Sequence, residues 1–241
     1  MFTTVCAGFL STHETQCESE PSPPLHMNIL KSEHINGWPL FYWIVAINSL
    51  AVIGYMPTQD LTVPRGISEM IQCTVRCCVP LLFVAFAASS MPQLVPGVFR
   101  RWLLRNRRYF GLGFAAGMGW QLVFILWMFI GHHDYFMENV YEDSDLIYRF
   151  IPYALLVAMS ISSFLPVRRR MNPVVWRVLH WVGIYYLFYV IEITYWYEIN
   201  LYEDRQIIDY IYVTAGALAY LARVGEWIRL RVVKLRSSHV R

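Results

Sequence analysis

Long apolar stretches recur along this chain and are separated by short polar connections. Six of them, each close to the length of a membrane-crossing helix, cover residues 38–56, 70–94, 109–131, 149–167, 174–197 and 207–224. A bilayer core of about 30 Å needs about 20 apolar residues per helix, and no connection is long enough for a separate soluble domain. The pattern predicts an all-α polytopic membrane protein, a bundle of six transmembrane helices.

Positive charge is concentrated in alternate connections. The loops after the third and fifth apolar segments are acidic, whereas the loops after the second and fourth and the tail after the sixth are basic. Lys and Arg concentrate on the cytoplasmic side of membrane proteins, so we expect the basic stretches to share that side and both termini to be cytoplasmic. The basic residues are Arg100, Arg101, Arg105, Arg107, Arg108, Arg168, Arg169, Arg170, Arg177, Arg229, Arg231, Lys234, Arg236 and Arg241.

The two ends of the chain differ from the bundle at residues 38–225. Residues 1–26 lack the basic start and strong apolar core of a cleavable signal peptide. Residues 1–37 are predicted to be a disordered or poorly ordered cytoplasmic leader, with translation starting at Met1 or at Met27. Residues 226–241 form a basic tail that mixes Arg and Lys with apolar residues. This composition favours a membrane-surface segment over a nucleic-acid site.

The composition agrees with a membrane protein and offers few catalytic motifs. Only 15% of the residues are charged, against about 25% in ordinary soluble domains. Cys73 and Cys77 share a helix face, which is interpreted as packing rather than metal binding because no other ligands accompany them. Gly113 and Gly117 have the spacing of a close helix-packing surface. We find no paired carboxylates, nucleophile–base set or metal cluster that indicates hydrolysis or group transfer.

Three motifs carry a resemblance to a known family. They are RRYFGLGFAAGMGW, which starts at Arg107, LVAMSISSF, which ends the fourth segment, and WRVLHWVGIYY, which opens the fifth. Together with the six segments, they resemble the ferric-reductase-like transmembrane superfamily. The most similar branch is the membrane haem-b subunit of the bacterial periplasmic methionine-sulfoxide reductase system. The resemblance spans residues 38–225.

The resemblance implies a b-haem site whose ligands are largely missing. Members of the family hold b haem with histidines on the third and fifth helices, and these positions fall on Gln121, His180 and Ile193. Gln is a poor haem ligand and Ile cannot ligate, so no bis-histidine haem is expected in the outer half of the bundle. His180 could still ligate a haem whose propionates contact Arg177 and the arginines at 168–170. Alternatively, it is an interfacial histidine bonded to a polar neighbour.

The resemblance also implies transmembrane electron transfer in the bacterial inner (plasma) membrane. Members that oxidise NAD(P)H carry flavin and nucleotide domains after the bundle, and the roughly 17 residues here are too few for one. The expected donor is therefore a quinone or a separate reductase, and the expected acceptor is a periplasmic protein. This chain would at most be the electron-transfer subunit of an oxidoreductase. The alternative is a haem-free membrane scaffold or partner subunit.

Arg76 and Glu192 are the ionisable residues deepest within the apolar segments. Such residues are costly in a bilayer and are usually paired or functional. A six-pass arrangement places both in the outer third of the membrane, so we hypothesise that they form an ion pair in space vacated by the outer haem. The alternative is that Arg76 retains a haem-propionate role, which needs a haem that Gln121 and Ile193 argue against. A transporter that uses the two residues is a weaker alternative, because the interrupted helices and repeats typical of transporters are missing.

Overall fold

All regular elements of this computed structural model are helical over the residues that it describes, which are 30, 32–88, 97–139, 145–201 and 206–238. Five helices are long and apolar enough to cross a membrane: Trp38–Thr58, Pro64–Ala87, Gly97–Gly131, Pro173–Leu201 and Ile207–Val232. The α-helices are α1 Trp38–Tyr55, α2 Pro64–Ala87, α3 Gly97–Gly131, α4 His133–Asn139, α5 Asp145–Ser163, α6 Leu165–Arg170, α7 Pro173–Leu201 and α8 Ile207–Ser238. The predicted all-α class is confirmed over the described residues, and the five long apolar helices are consistent with an integral membrane protein.

The fourth predicted segment, 149–167, is not one continuous helix. Its apolar part is the shorter stretch Phe150–Ser163, which ends α5. The backbone at Phe164 is extended, with φ −73° and ψ 135°, and a proline in the first turn then starts α6. Proline fits the first turn of a helix and interrupts a longer one. The helix therefore ends four residues before the predicted segment does, and its apolar part is shorter than the sequence pattern predicts.

Close helix contacts are made where α3 carries glycine. A Cβ atom on Gly117 would collide with the Cβ of Cys78 on α2 and lie 3.2 Å from Asn48 Nδ2 on α1. A Cβ atom on Gly113 would lie 2.5 Å from Ile44 Cγ2 on α1. The two glycines therefore let α3 pack directly against α1 and α2, as the small-residue spacing predicts.

Aromatic side chains fill the centre of the bundle. Phe86 of α2 stacks on Phe188 of α7 with ring centroids 4.0 Å apart. Phe83 and Phe114 are also buried and belong to the same apolar cluster. The outward-facing positions of the long helices are rich in exposed apolar residues such as Ile47. Apolar faces that are exposed among the described residues suit contact with a lipid bilayer.

The end of the predicted leader is ordered and bound to α3. Glu33–Ile35 form one turn of 3₁₀ helix, and Gly37, with φ of 70°, starts α1. The Gly37 N–H donates to Oδ1 of the fully buried Asn106 at 3.0 Å, and Trp102 Nε1 donates to the Ile35 carbonyl at 3.1 Å. The predicted disorder therefore does not extend over residues 32–37. Residues 1–29 and 31 lie outside the described residues.

The basic tail also differs from its predicted boundary. Helix α8 continues without a break from the apolar region to Ser238, so position 226 is not the end of a structural element. Within this extension, the Arg229 guanidinium pairs with the Glu226 carboxylate at 2.8 Å, and Arg231 lies over the Trp227 ring at 4.6 Å. The first part of the predicted tail is thus a helical extension of the last span. Residues 239–241 lie outside the described residues.

A short loop between α1 and α2 folds tightly over Gly66. The Asp60 carboxylate accepts hydrogen bonds from the Thr62 hydroxyl at 2.6 Å and the Thr62 N–H at 2.9 Å. These bonds hold the pKa of Asp60 below its usual value. A Cβ atom on Gly66 would collide with the Asp60 carbonyl oxygen. The close contact between the backbones of Asp60 and residue 66 therefore requires glycine at this position.

Candidate functional site

A cavity of about 590 Å³ is lined mainly by α3, α5 and α7, with further residues from α2, α6 and α8. Its apolar walls come from four helices and include Ala85, Leu112, Leu156 and Ile184. Its polar lining is dominated by arginine: Arg105, Arg107, Arg108, Arg168, Arg177 and Arg223, together with His180, Ser160 and Ser163. We call the end of the bundle that holds these arginines the basic end.

The arginines around this cavity come from different parts of the sequence. Three start from α3, Arg168 lies on α6, Arg177 lies near the start of α7 and Arg223 lies on α8. The sequence pattern predicts that the basic stretches share one side, and the structure brings members of two of them together here. None of the residues that the structure describes along this lining is acidic. The cavity therefore combines an apolar body with a strongly positive rim.

Several of these guanidinium groups are held by neutral partners. Arg168 lies 4.3 Å from the Trp176 ring centroid, and Arg108 lies 5.5 Å from the centroids of both Trp38 and Tyr109. Arg223 packs over Phe86 at 4.4 Å and donates from Nη1 to its carbonyl at 3.2 Å. Cation–π contacts orient an arginine without neutralising its charge. The positive charge at the cavity is thus available to an anion.

His180 lines the cavity and also joins α5 to α7. Its Nε2 lies 3.0 Å from the Ser162 hydroxyl, and its ring centroid is 4.5 Å from that of Trp176. Trp176 Nε1 donates to the Ser162 carbonyl at 3.1 Å. The polar neighbour expected for an ordinary interfacial histidine is therefore present, and Arg177 lies on the same cavity wall. This geometry is compatible with both interpretations of His180.

The two missing ligand positions are integrated into the helix packing. Gln121 Oε1 accepts a hydrogen bond from the Tyr153 hydroxyl at 2.7 Å, which ties α3 to α5. Ile193 is partly buried and lies between the buried residues Ile191 and Tyr195 of α7. The Gln121 amide oxygen is thus occupied, and an isoleucine side chain has no donor atom. The residues at this depth do not fit a haem.

Arg76 is paired with Asp209, not with Glu192 as hypothesised from the sequence. Its Nη2 lies 3.6 Å from Asp209 Oδ1, and the Tyr212 hydroxyl donates to the Arg76 carbonyl at 2.7 Å. The Glu192 carboxylate instead points at Gly216 of α8, where a Cβ atom would collide with it. The depth of a residue along its helix does not determine the direction in which its side chain points. The rotation of α2 and α8 about their axes directs Arg76 towards Asp209.

Sequence reasoning missed Asp209 and the contribution of α8 to the cavity. Asp209 is only 2% exposed despite its position in the first turn of α8. Its setting in the apolar run IIDYIYV is the signal that marks a buried carboxylate. Arg223 sits among apolar and small residues near the end of the same span, and it offers a similar signal.

The remaining candidate ligands do not assemble into a metal centre. Within the described ranges, no group of three or more His, Cys, Asp or Glu side chains could hold a metal ion. Cys78 packs against Gly117. No family model, curated protein or solved structure matches the chain.

Proposed function

We propose that this chain is a six-span protein of the bacterial inner membrane, with its basic end in the cytoplasm. The support comes from α5, whose 19 residues would extend about 28 Å, close to the thickness of a bilayer core, with Phe150–Ser163 as its apolar part. Tyr153 of α5 meets Gln121, whereas Ser162 meets His180, so α5 runs antiparallel to α3 and α7. Reporter fusions test this topology: a fusion in the acidic loop after α4 should be periplasmic, and one after Ser238 should be cytoplasmic.

Within this framework, the cavity at the basic end is proposed to bind one b haem. The observation that carries the proposal is that His180, the only histidine among the described lining residues, faces an apolar cavity surrounded by arginines. A volume of about 590 Å³ falls within the range of about 300–1,000 Å³ for cofactor and ligand pockets. His180 would ligate the iron, and Arg177 and Arg168 would bind the propionates.

Bound haem would supply one-electron redox chemistry at the cytoplasmic side. Its electrons would come from a quinone or a separate reductase and would pass to a periplasmic protein. The chain's own part is to exclude water with the apolar walls and to fix the imidazole between α5 and α7. Ligation through Nε2 would replace the Ser162 hydrogen bond, so Ser162 is expected neither to ligate the haem nor to be required for its binding. The resemblance to the ferric-reductase-like superfamily is the reason for preferring haem over other planar anions.

The test is a reduced-minus-oxidised spectrum of the protein purified after expression with ample haem, with quantitation as the pyridine haemochrome. We expect about one b haem per chain in the wild type and in Ser162→Ala. His180→Ala should lose it, and His133→Ala, a histidine exposed at the far end of the bundle, should retain it. Equal haem content in His180→Ala and His133→Ala would contradict the assignment of His180.

The second candidate is a haem-free membrane scaffold or partner subunit. It is favoured by the hydrogen bond between Gln121 and Tyr153, which uses the former ligand position to join two helices. It is also favoured by the Ser162 partner of His180, which satisfies the imidazole without a metal. A purified wild-type protein that is folded, remains monodisperse and contains no haem would select this function.

A further inference from the structure

A second and smaller cleft lies beside the arginine-rimmed cavity, at the turn between α6 and α7. Its volume is about 210 Å³, and it is lined by Arg168, Met171, Pro173, Trp176 and Arg177. This volume is below the range of about 300–1,000 Å³ typical of cofactor pockets. The cleft therefore suits a small charged headgroup rather than a large cofactor.

The cleft is positively charged, and no carboxylate of the described residues neutralises it. Arg169 and Arg170 follow Arg168 in the last turn of α6. Arg177 donates from Nε to the Pro173 carbonyl at 3.3 Å, and Arg168 lies over the Trp176 ring. Among the described residues, no carboxylate forms an ion pair with any of these arginines. Two guanidinium groups at one cleft can bind a phosphate with charge-assisted hydrogen bonds.

An apolar surface begins immediately next to this charge. Val174, Val175, Val178 and Trp181 of α7 are each more than half exposed, and α7 is one of the membrane-spanning helices. Trp176 lies between the arginines of the cleft and this exposed apolar face. A tryptophan in such a position is typical of the interface between headgroups and acyl chains. A ligand that satisfies both surfaces has a phosphate at one end and a long hydrocarbon at the other.

We propose that this cleft binds the phosphate of an anionic phospholipid, whose acyl chains lie along the exposed apolar face of α7. Basic pockets at the ends of membrane helices recognise such headgroups. Trp176 forms the floor of the cleft, because its indole is held in place by the Ser162 carbonyl and by the Arg168 guanidinium. The site goes beyond the proposed haem function and needs no bound haem. Arg168, Trp176 and Arg177 line both the cleft and the larger cavity, and the lipid would contact them from the side of the turn.

The test compares lipid binding by the full-length protein after delipidation in detergent. Native mass spectrometry would count bound lipid, and titration with phosphatidylglycerol, phosphatidylcholine or inorganic phosphate would give affinities. We expect one tightly bound phosphatidylglycerol per chain, and weak binding of phosphatidylcholine and of inorganic phosphate. An affinity for inorganic phosphate equal to that for phosphatidylglycerol would overturn the proposal in favour of a free-phosphate site.

The matched variants are Arg168→Gln/Arg177→Gln, which alters the cleft, and Arg169→Gln/Arg170→Gln, which removes the same charge from exposed positions on the same turn. An arginine close to an anionic headgroup contributes about a fivefold factor in affinity, so the first pair should weaken binding roughly thirtyfold. The loss of affinity in the second pair should be several times smaller than the loss in the first pair. Equal losses in both pairs would show diffuse attraction and would overturn the site. Size-exclusion profiles check folding. Lipid binding by His180→Ala, which keeps both cleft arginines, should match the wild type, and this variant separates a failure of this site from a failure of the haem proposal.

Discussion

Replacing Asp209 with asparagine should destabilise the protein far more than replacing Glu192 with glutamine. Asp209→Asn keeps the shape of the side chain and an oxygen that can accept the Gln206 N–H, now bound at 3.0 Å. It removes the negative charge that lies 3.6 Å from the Arg76 guanidinium. The change therefore isolates the electrostatic contribution of this contact between α2 and α8.

The expected magnitude follows from the burial of the two partners. Removing one member of a buried ion pair costs about 3–5 kcal/mol because the other charge is left uncompensated. The side chain of Asp209 is 3% exposed but that of Arg76 is 24% exposed, so water relieves part of the cost and about 3 kcal/mol is expected. For a chain of this size, that corresponds to a fall of about 6–12 °C in Tm.

The control is Glu192→Gln, since buried Oε1 of Glu192 has no hydrogen-bond partner among the described residues. Loss of the Glu192 charge should lower the free energy of unfolding by less than about 1 kcal/mol. Thermal unfolding of the purified protein in detergent measures both variants, and a cycle with Arg76→Gln should give a coupling energy of about 1 kcal/mol or more with Asp209→Asn. A larger loss in Glu192→Gln than in Asp209→Asn, or the absence of coupling, would refute this reasoning.

Two further predictions concern helix packing and the ordered end of the leader. Gly117→Ala should lower stability by about 1–3 kcal/mol, because its Cβ would collide with Cys78. A Cβ atom on Gly119 would face open space, so Gly119→Ala should be neutral or stabilising by up to about 1 kcal/mol. Equal Tm values for the two variants would contradict the packing of Gly117. Asn106→Ala removes the acceptor of the Gly37 N–H, so limited proteolysis should cleave residues 32–37 faster than in the wild type, and unchanged cleavage would argue against the contact.

The sequence predicts well those features that depend on hydropathy along the chain. Five of the six apolar segments are helices that can cross a membrane, because burial in lipid requires long runs of apolar residues whatever their neighbours are. Loop charge likewise predicts that Arg107, Arg168 and Arg177 share one end, and the cavity brings them together. The spacing of Gly113 and Gly117 marks a packing face correctly.

Features that depend on the rotation of a helix about its axis cannot be predicted from hydropathy along the chain. A rise of 1.5 Å per residue gives the depth of Arg76 and Glu192, but their directions around the helix axis depend on packing with α8. The bond between Gln121 and Tyr153 is of the same kind, since it depends on how α3 and α5 face each other. The attachment of the leader to Asn106 joins residues 69 positions apart, and no local pattern announces it.

Titration of the purified wild-type protein with haemin tests the central claim most directly. The account predicts a saturable Soret shift that ends at one equivalent of haem per chain, and its loss in His180→Ala but not in His133→Ala. A change that increases without saturation and is the same in all three proteins would mean that haem only partitions into the detergent micelle. The cavity at the basic end would then belong to a membrane scaffold and not to an electron-transfer subunit.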